Sequence, residues 1–253
     1  MADDRFQLDA LTKLAGQALA AGILLIYGIQ ILWLPINGVI TLPPSIGQLV
    51  TVLIVLVTIN AVNFIDGLDG LAAGIVAIAG AAFFTFAYLL AVVWGFSRAG
   101  APSLMTAVLI GICLGFLPHN SHPARIFMGD SGSMFLGLLL ASAAITLTGQ
   151  VDPNAISAVE AGPTLLPLLL PFAVLAIPLA DLVLAISRRL RAGRSPFAPD
   201  KDHLHHRLLS AGNSHVRTAV IMYLWTATIA FPVTVSAFAP IWVAAVFAGA
   251  MLA

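Results

Sequence analysis

Long apolar runs separated by short polar segments are the dominant pattern of this chain. A membrane-crossing helix needs about 20 mostly apolar residues, or about 17 at the short end. By that measure the pattern predicts seven spans, and a further run over 241–253 is shorter than a full span. The predicted fold is therefore all-α, a single polytopic membrane helix bundle over residues 1–253 with about 7–8 transmembrane helices. The seven predicted spans cover residues 14–34, 47–62, 71–96, 103–118, 134–149, 164–187 and 217–237.

The composition agrees with a membrane-embedded chain. Hydrophobic residues make up 60% of the sequence, charged residues make up 9%, and the mean hydropathy is +1.03. A soluble domain needs more polar surface than this. Eleven basic and eleven acidic side chains cancel, so the net charge gives no reason to expect a nucleic-acid partner. The single cysteine, Cys113, excludes a disulfide within the chain.

The distribution of basic side chains predicts the orientation, because Lys and Arg are retained on the cytoplasmic side of a membrane. If residues 1–13 are cytoplasmic and the spans alternate, ten of the eleven basic residues lie on the cytoplasmic side and only Arg98 lies on the other. The same topology places four polar segments on the cytoplasmic face of a cell (inner or plasma) membrane, and we expect the functional site there. These segments lie near residues 1–13, 60–70, 119–133 and 188–216.

The first polar segment with a chemical pattern is N-A-V-N-F-I-D-G-L-D-G, residues 60–70. If the preceding helix continues by one turn, Asn60, Asn63 and Asp66 follow one of its faces, and glycines loosen the chain beyond. Oxygen ligands beside a flexible turn suit a hard cation such as Mg²⁺, which takes its remaining ligands from water and substrate phosphates. The alternative is that these side chains only cap helix ends.

A second segment, R-I-F-M-G-D-S-G-S-M-F-L-G, covers residues 125–137. Asp130 stands directly before an apolar helix, where its carboxylate and the free N–H groups of the first turn share one location. Such an aspartate is either an N-cap or one ligand of a site that binds a cation and phosphate together. This motif alone leaves both alternatives open.

Two further clusters complete the inventory. The adjacent carboxylates of Asp3 and Asp4 either share a dry site, which would raise the pKa of one of them, or are solvated charges. The segment P-D-K-D-H-L-H-H-R-L-L, residues 199–209, carries clustered histidines next to many basic residues. It lacks the cysteines or the H-E-x-x-H pattern of a zinc site and suits phosphate oxygens better. The alternative is a basic loop that only sets topology or contacts anionic lipid.

Asp181 lies within a predicted span, in P-L-A-D-L-V-L-A-I-S-R-R. An ionisable side chain inside the membrane is a functional candidate, and pairing with a basic loop residue is the competing structural role. Three histidines flank the cytoplasmic helix ends, His119, His122 and His215, and we assign them no chemistry.

Taken together and in this order, the clusters resemble the polyprenyl-phosphate N-acetylhexosamine-1-phosphate transferases. The matching segments are D-D-R at 3–5, N-A-V-N-F-I-D-G-L-D-G-L-A-A-G at 60–74, F-M-G-D-S-G-S at 127–133 and D-H-L-H-H-R-L at 202–208. Members of this family carry further helices before the Asp-Asp motif, so we expect this chain to lack them.

The resemblance implies a reaction and a role for each cluster. The family transfers a sugar phosphate from a UDP-sugar to a polyprenyl phosphate in the membrane and releases UMP. The implied catalytic carboxylates are Asp3 and Asp4. The implied Mg²⁺ ligands, with Mn²⁺ as a substitute, are Asn63, Asp130 and Asp66. The implied substrate-binding residues are Asn60, Asp69, His203, His205, His206 and Arg207.

Several alternatives remain at the level of sequence. The H-x-H-H arrangement resembles the branch that uses UDP-N-acetylglucosamine, and the peptidoglycan enzyme that uses UDP-N-acetylmuramoyl-pentapeptide is the second candidate. Rival functions are a cation transporter and a non-catalytic or truncated membrane protein. Transfer in one step and transfer through an aspartyl intermediate are both open, and so is a homodimer.

Overall fold

The computed structural model describes residues 9–34, 40–93, 95–96, 99–150, 173, 176–193, 204–236 and 238–252. In this part of the chain nine helices and one two-stranded hairpin follow each other. The helices are α1 (Ala10–Ile26), α2 (Pro44–Ile65), α3 (Leu71–Val92), α4 (Gly100–Asn120), α5 (Gly129–Gln150), α6 (Ala176–Arg191), α7 (Leu204–Ser210), α8 (His215–Ser236) and α9 (Ile241–Leu252). The strands are β1 (Trp33–Leu34) and β2 (Ile40–Thr41), which pair antiparallel.

The expectation of an all-α polytopic membrane protein is confirmed. Among the described residues, five helices are long and apolar enough to cross a membrane, namely α2, α3, α4, α5 and α8. Two shorter apolar helices, α1 and α9, accompany them. The predicted number of seven to eight spans stays a prediction, because 11 of the 24 residues of the span predicted over 164–187 lie outside the described residues.

The first predicted span, 14–34, was wrong at its C-terminal end. Helix α1 stops at Ile26, and Gly28 then adopts a left-handed backbone with φ of 76°. The backbone N–H of Gly28 donates to Leu25 O, and the N–H of Ile29 donates to Leu24 O, so two of the last helical carbonyls are satisfied within the turn. The chain then reverses through the short hairpin. The span was predicted too long because the residues that follow α1 are also apolar.

The five long apolar helices, α2, α3, α4, α5 and α8, differ from the predicted spans by at most five residues at each end. Helix α2 continues to Ile65, three residues beyond the predicted end at 62, and Asp66 is its C-cap. Helix α5 begins at Gly129 rather than at 134, so Asp130 lies inside its first turn and does not precede the helix. Both extensions bring polar residues onto helical faces at the same end of the bundle.

Helices α3 and α5 form the centre of the bundle. Helix α3 packs on α4 and α8, whereas α5 packs on α2 and α4. Fully buried aromatic and aliphatic side chains fill the space between them, including Phe83, Phe86 and Leu109. Many apolar side chains on the outer faces are exposed, as expected where lipid is the solvent.

Close approach of helices depends on glycine at one position in particular. A Cβ atom on Gly137 of α5 would lie 2.7 Å from the Cα of Ile59 and 3.2 Å from the carbonyl oxygen of Thr58, both on α2. Small residues permit such backbone contact between membrane helices. The α2–α5 interface carries the polar residues described below, so this spacing also sets the spacing of the site.

We expect Gly137→Ala to destabilise the chain by about 1–3 kcal/mol, since backbone atoms cannot move aside as a flexible side chain can. The buried thiol of Cys113, the only cysteine, is a suitable reporter, because a thiol-reactive fluorophore labels it on thermal unfolding. Gly111→Ala on α4 is the matched control, because a Cβ there meets nothing within 4 Å. Equal midpoints for the two variants would contradict the tight α2–α5 contact.

Candidate active site

A lysine, a carboxylate, a carboxamide and a hydroxyl from three helices meet at one end of the bundle. Lys13 Nζ of α1 lies 2.5 Å from Asp130 Oδ2 of α5. From α2, Asn63 Nδ2 donates to Asp130 Oδ1 at 3.3 Å and to Ser133 Oγ at 2.9 Å. Asp130 is therefore contacted from two other helices, and a role as a helix cap alone does not account for these contacts.

Lys13 and Ser133 were missed by the sequence reasoning. Lys13 was counted only as a charge that sets topology, although it lies at the polar end of an apolar helix, where a basic side chain can reach the membrane interface. Ser133 is fully buried, and its Oγ also contacts the carbonyls of Gly129 and Asp130 in its own helix. The i, i+3 spacing of Asp130 and Ser133 was the available signal, since such residues share a helix face.

Asp66 lies just beyond the end of α2 and faces the same cluster. Removal from water and then the nearby charge of Asp130 raise the pKa of the Asp66 carboxyl to about 7. Two carboxylates held close together favour either a shared proton or a bound cation. This environment fits a cation site formed by two carboxylates and an amide.

A cavity of about 250 Å³ opens beside this cluster. Its polar side is formed by the carboxylates, and its apolar side includes Phe127, whose side chain is largely exposed. The cavity thus combines three acidic side chains with an exposed aromatic face. The lining residues are Asp66, Gly67, Leu68, Asp69, Asn120, Phe127, Met128, Gly129 and Asp130.

Asn120 joins the two loops that form this cavity, and no sequence motif predicted this role. Its Oδ1 accepts the backbone N–H of Gly70 at 3.0 Å, and its Nδ2 donates to the carbonyl of Ile126 at 2.9 Å. Gly70 has a left-handed φ of 75°, and its carbonyl accepts the hydroxyl of Tyr223 from α8 at 2.6 Å. The turn after α2 is therefore held from two sides.

Asp69 contacts the neighbouring loop. Its Oδ2 accepts His122 Nδ1–H at 2.8 Å and the backbone N–H of Ala124 at 3.1 Å. The hydrogen bond from His122 lowers the pKa of the Asp69 carboxyl below its usual range. His122 stacks in turn on His215, with ring centroids 4.6 Å apart. We had assigned no chemistry to these two histidines, and they support the cavity wall through Asp69. Substrate binding by Asp69 stays a prediction.

Asn60 points away from the cavity. Its Nδ2 donates to Gln17 Oε1 at 2.7 Å and to the carbonyl of Leu56 at 2.7 Å, so it joins α2 to α1. It is not among the residues that line the cavity. The expected stripe of Asn60, Asn63 and Asp66 is thus divided between a helix contact and the site.

The histidine segment reaches the same turn. His205 of α7 is buried, and a Cβ on Gly67 would lie 2.5 Å from its Nε2, so only glycine permits this approach. The His205 and His206 rings are 4.3 Å apart, and His206 and Arg207 are exposed. The predicted residues Asp3, Asp4 and His203 lie outside the described residues. The roles proposed for all of these side chains stay predictions.

Asp181, for which two roles were open, is fully buried in α6. Its Oδ1 accepts the backbone N–H of Leu204, the first residue of α7, at 2.8 Å. An N-terminal N–H of a helix has no partner inside that helix, so Asp181 supplies one from a neighbouring element. The carboxylate therefore ties the histidine helix to the membrane bundle.

The sequence profile of glycosyl transferase family 4 matches residues 1–148, more than half of the chain. The chain belongs to glycosyl transferase family 4. The resemblance found in the motifs is thereby confirmed, and the matched part of this family 4 chain includes Lys13, Asn63, Asp66 and Asp130.

Named relatives carry the likeness across most of this family 4 chain. The decaprenyl-phosphate N-acetylglucosaminephosphotransferase of Mycobacterium tuberculosis H37Rv is 48% identical over 241 residues, which are 93% of this chain and 60% of the relative. The enzyme of the same name from Mycobacterium leprae is 46% identical over 234 residues, 90% of this chain and 59% of the relative. A probable undecaprenyl-phosphate N-acetylglucosaminyl 1-phosphate transferase of Bacillus subtilis is 38% identical over 120 residues, 47% of this chain and 30% of the relative. The chain spans about 60% of the length of its mycobacterial relatives.

We expect the stability of the cation-free chain to fall as the pH rises from about 4 to about 7. The pKa of Asp66 is about 7 in the folded chain against an ordinary value of 3.8, so the folded chain holds this proton more tightly than the unfolded chain does. Ionisation of Asp66 over that interval therefore lowers the free energy of unfolding, and above about pH 7 the loss stays constant. Thermal midpoints measured with a chelator should show the decline in the wild type and a flatter profile in Asp66→Asn. A midpoint that rises with pH over this interval would refute this interpretation.

We expect Asp181→Leu to destabilise the chain by about 1–3 kcal/mol, because it leaves the partly buried N–H of Leu204 without its acceptor. Asp181→Asn keeps an oxygen at the same position and should lose less. Labelling of Cys113 during thermal unfolding measures the unfolding midpoints of both variants. Thr226→Val is the matched control, since the buried Thr226 hydroxyl donates only within its own helix, to Met222 O. An asparagine variant as unstable as the leucine variant would show that the hydrogen bond is not what matters.

Proposed function

We propose that this chain transfers N-acetylglucosamine 1-phosphate from UDP-N-acetylglucosamine to a polyprenyl phosphate at the cytoplasmic face of the cell membrane, with release of UMP. The observation that carries the proposal is the convergence of Lys13, Asn63 and Asp130 from three helices beside a cavity at the end of a membrane bundle. A lipid phosphate and a nucleotide diphosphate are both anionic, so a site that joins them needs cationic groups at that location.

The residues present fit a divalent cation. Mg²⁺ is usually held by one or two carboxylates and by substrate phosphates, with water in the remaining positions. Asp66 and Asp130 would supply the carboxylates, and Asn63 an amide oxygen. The pKa of Asp66 is raised to about 7 first by burial and second by the nearby charge of Asp130, and the second cause supports this assignment because it places two carboxyl groups close together. When bound, Mg²⁺ supplies positive charge to the diphosphate oxygens, and Mn²⁺ is a suitable substitute.

The basic side chains would hold and align the two phosphates. Lys13 offers an ammonium group next to Asp130. His205 lies against the turn at Gly67, and His206 and Arg207 follow it on the same short helix. An oxygen of the lipid phosphate attacks the β-phosphorus of the donor and forms the new P–O bond. The bond from that phosphorus to the bridging oxygen breaks, and UMP leaves with the electron pair. Alignment and charge cancellation account for most of such catalysis.

Asp3 would take the remaining proton of the lipid phosphate, with Asp4 beside it. The second pKa of a phosphate monoester is about 6, so this base has little to do at neutral pH and its loss should be milder than loss of Asp130. The alternative route uses an aspartate as nucleophile in two displacements. That route predicts a phospho-enzyme that forms without lipid phosphate, whereas the direct route predicts none.

The choice of donor rests on two independent supports. The H-x-H-H arrangement of His203, His205 and His206 resembles the N-acetylglucosamine branch, and the names of the mycobacterial and Bacillus relatives specify N-acetylglucosamine. The side of the cavity that carries the exposed Phe127 would suit the uracil ring, since aromatic side chains stack on bases. The length of the prenyl chain is left unassigned.

We expect the purified chain, with polyprenyl phosphate and Mg²⁺, to move label from UDP-N-acetylglucosamine into the lipid phase. Asp130→Asn should lower the rate by about 100-fold or more, because it removes a charged ligand and a partner of Lys13 together. Because the chain spans only part of its relatives, the same assay is run on a chimera in which it replaces the matching part of a mycobacterial relative. Asp152→Asn is the control, an acidic residue that the charge topology places on the opposite face.

UDP-N-acetylmuramoyl-pentapeptide is the second donor in the assay. Transfer from that donor alone would assign the chain to the peptidoglycan reaction instead. Transfer from neither donor, by the chain or by the chimera, would overturn the proposal.

A further inference from the structure

Two carboxamides form a pair between α1 and α2 that the proposed reaction does not use. Gln17 is 6% exposed, and its Oε1 accepts Asn60 Nδ2–H at 2.7 Å. In the other direction, Gln17 Nε2 lies 3.4 Å from Asn60 Oδ1. Gln17 Nε2 is also 3.6 Å from the sulfur of Met134 on α5. The pair therefore lies where α1, α2 and α5 meet.

This amide pair lies one helical turn from the cluster formed by Lys13, Asn63 and Asp130. Gln17 follows Lys13 by four residues on α1, and Asn60 precedes Asn63 by three residues on α2. Residues with these spacings lie on the same face of a helix, one above the other. The face of α1 that directs Lys13 to Asp130 is thus the face that directs Gln17 to Asn60.

Within the described residues, helix α1 has few other contacts that would orient it. It has 17 residues, its two buried residues are Gln17 and Ala21, and it packs chiefly on α2. Between apolar helices there is no hydrophobic preference for one rotation over another, whereas a polar side chain that loses its partner is left in an apolar environment. A rotation by one residue, about 100°, would remove both Gln17 and Lys13 from the interface.

We propose that Gln17 and Asn60 are positioning residues, whose reciprocal amide contact sets the rotation and depth of α1 and thereby holds Lys13 against Asp130. Their effect on transfer passes through Lys13 and not through substrate. The inference rests on the proposed function for its kinetic test, and the amide contact itself can be tested without any substrate. It also gives Asn60 a role other than the substrate binding implied by the resemblance.

The kinetic test is a double-mutant cycle on Gln17 and Lys13. We expect Gln17→Leu to lower kcat about tenfold, the size expected when one positioned group is misplaced, and to change the KM for the UDP-sugar little. In a Lys13→Met background the same Gln17→Leu change should have almost no further effect. An equal loss in both backgrounds would show that Gln17 acts independently of Lys13 and would overturn the proposal.

Exchange of the two amide side chains distinguishes loss of the amide contact from unspecific destabilisation. Gln17→Asn alone shortens one side of the pair, whereas Gln17→Asn combined with Asn60→Gln restores the summed length and should recover most of the rate. Ser142→Ala is the matched control, because the Ser142 hydroxyl, on α5, donates only to Leu138 O of its own helix, and we expect the wild-type rate. Failure of the exchanged pair to recover more rate than either single variant would contradict the amide contact.

The thermal midpoint gives a readout that is independent of catalysis. Gln17→Leu and Asn60→Leu should each lower it, and the double variant should lower it by clearly less than the sum, since both remove the same contact. Additive losses would overturn the pairing whether or not the chain transfers sugar phosphate. Absence of transfer by both the wild-type chain and the chimera, with non-additive midpoints, would refute the proposed function and leave the pair intact.

Discussion

A charged group at the edge of an apolar bundle must find its partner within the protein, and this requirement organises the structure described above. Asp130 begins an apolar helix, and its two oxygens are met by Lys13 from α1 and by Asn63 from α2. An ion pair that is only partly buried contributes little net stability, about 0–1 kcal/mol when exposed. Its importance here is geometric, because loss of either partner would leave the other charge near lipid without compensation.

The geometry of these polar contacts depends in turn on small residues. Gly137 permits α5 to reach the backbone of α2, and Gly67 permits His205 to lie against the turn that ends α2. Gly74 of α3 leaves room for the ring of Tyr223, whose hydroxyl reaches Gly70 O. Without a hydrophobic driving force between membrane helices, close packing and hydrogen bonds must supply the specificity of their association. Glycine and buried polar side chains are therefore two parts of one arrangement.

The turn after α2 shows how a short polar segment becomes a rigid wall of a cavity. Asn120 holds the N–H of Gly70, Tyr223 holds its carbonyl, and Asp69 holds the following loop through His122. Each contact joins residues at least 50 positions apart in the sequence. The shape of the cavity therefore depends on contacts between distant segments of the chain. Asp66, at the end of α2, has a carboxyl pKa raised to about 7 by burial and by the nearby charge of Asp130.

The sequence by itself determined the class of fold, most helix boundaries, the family and the polar clusters, because these depend on local composition and spacing. The length of an apolar run predicts a membrane helix whatever other elements it packs against. The motifs at 60–74 and 127–133 are short contiguous segments and can be read without the fold. Only the tertiary structure decided which polar side chains share a site. Lys13, Asn120 and Ser133 were not among the predicted site residues, whereas Asn60, which the motif had included, turns to Gln17. The reason is that a helix face is set by contacts between distant segments, and periodicity does not specify which neighbour each face meets.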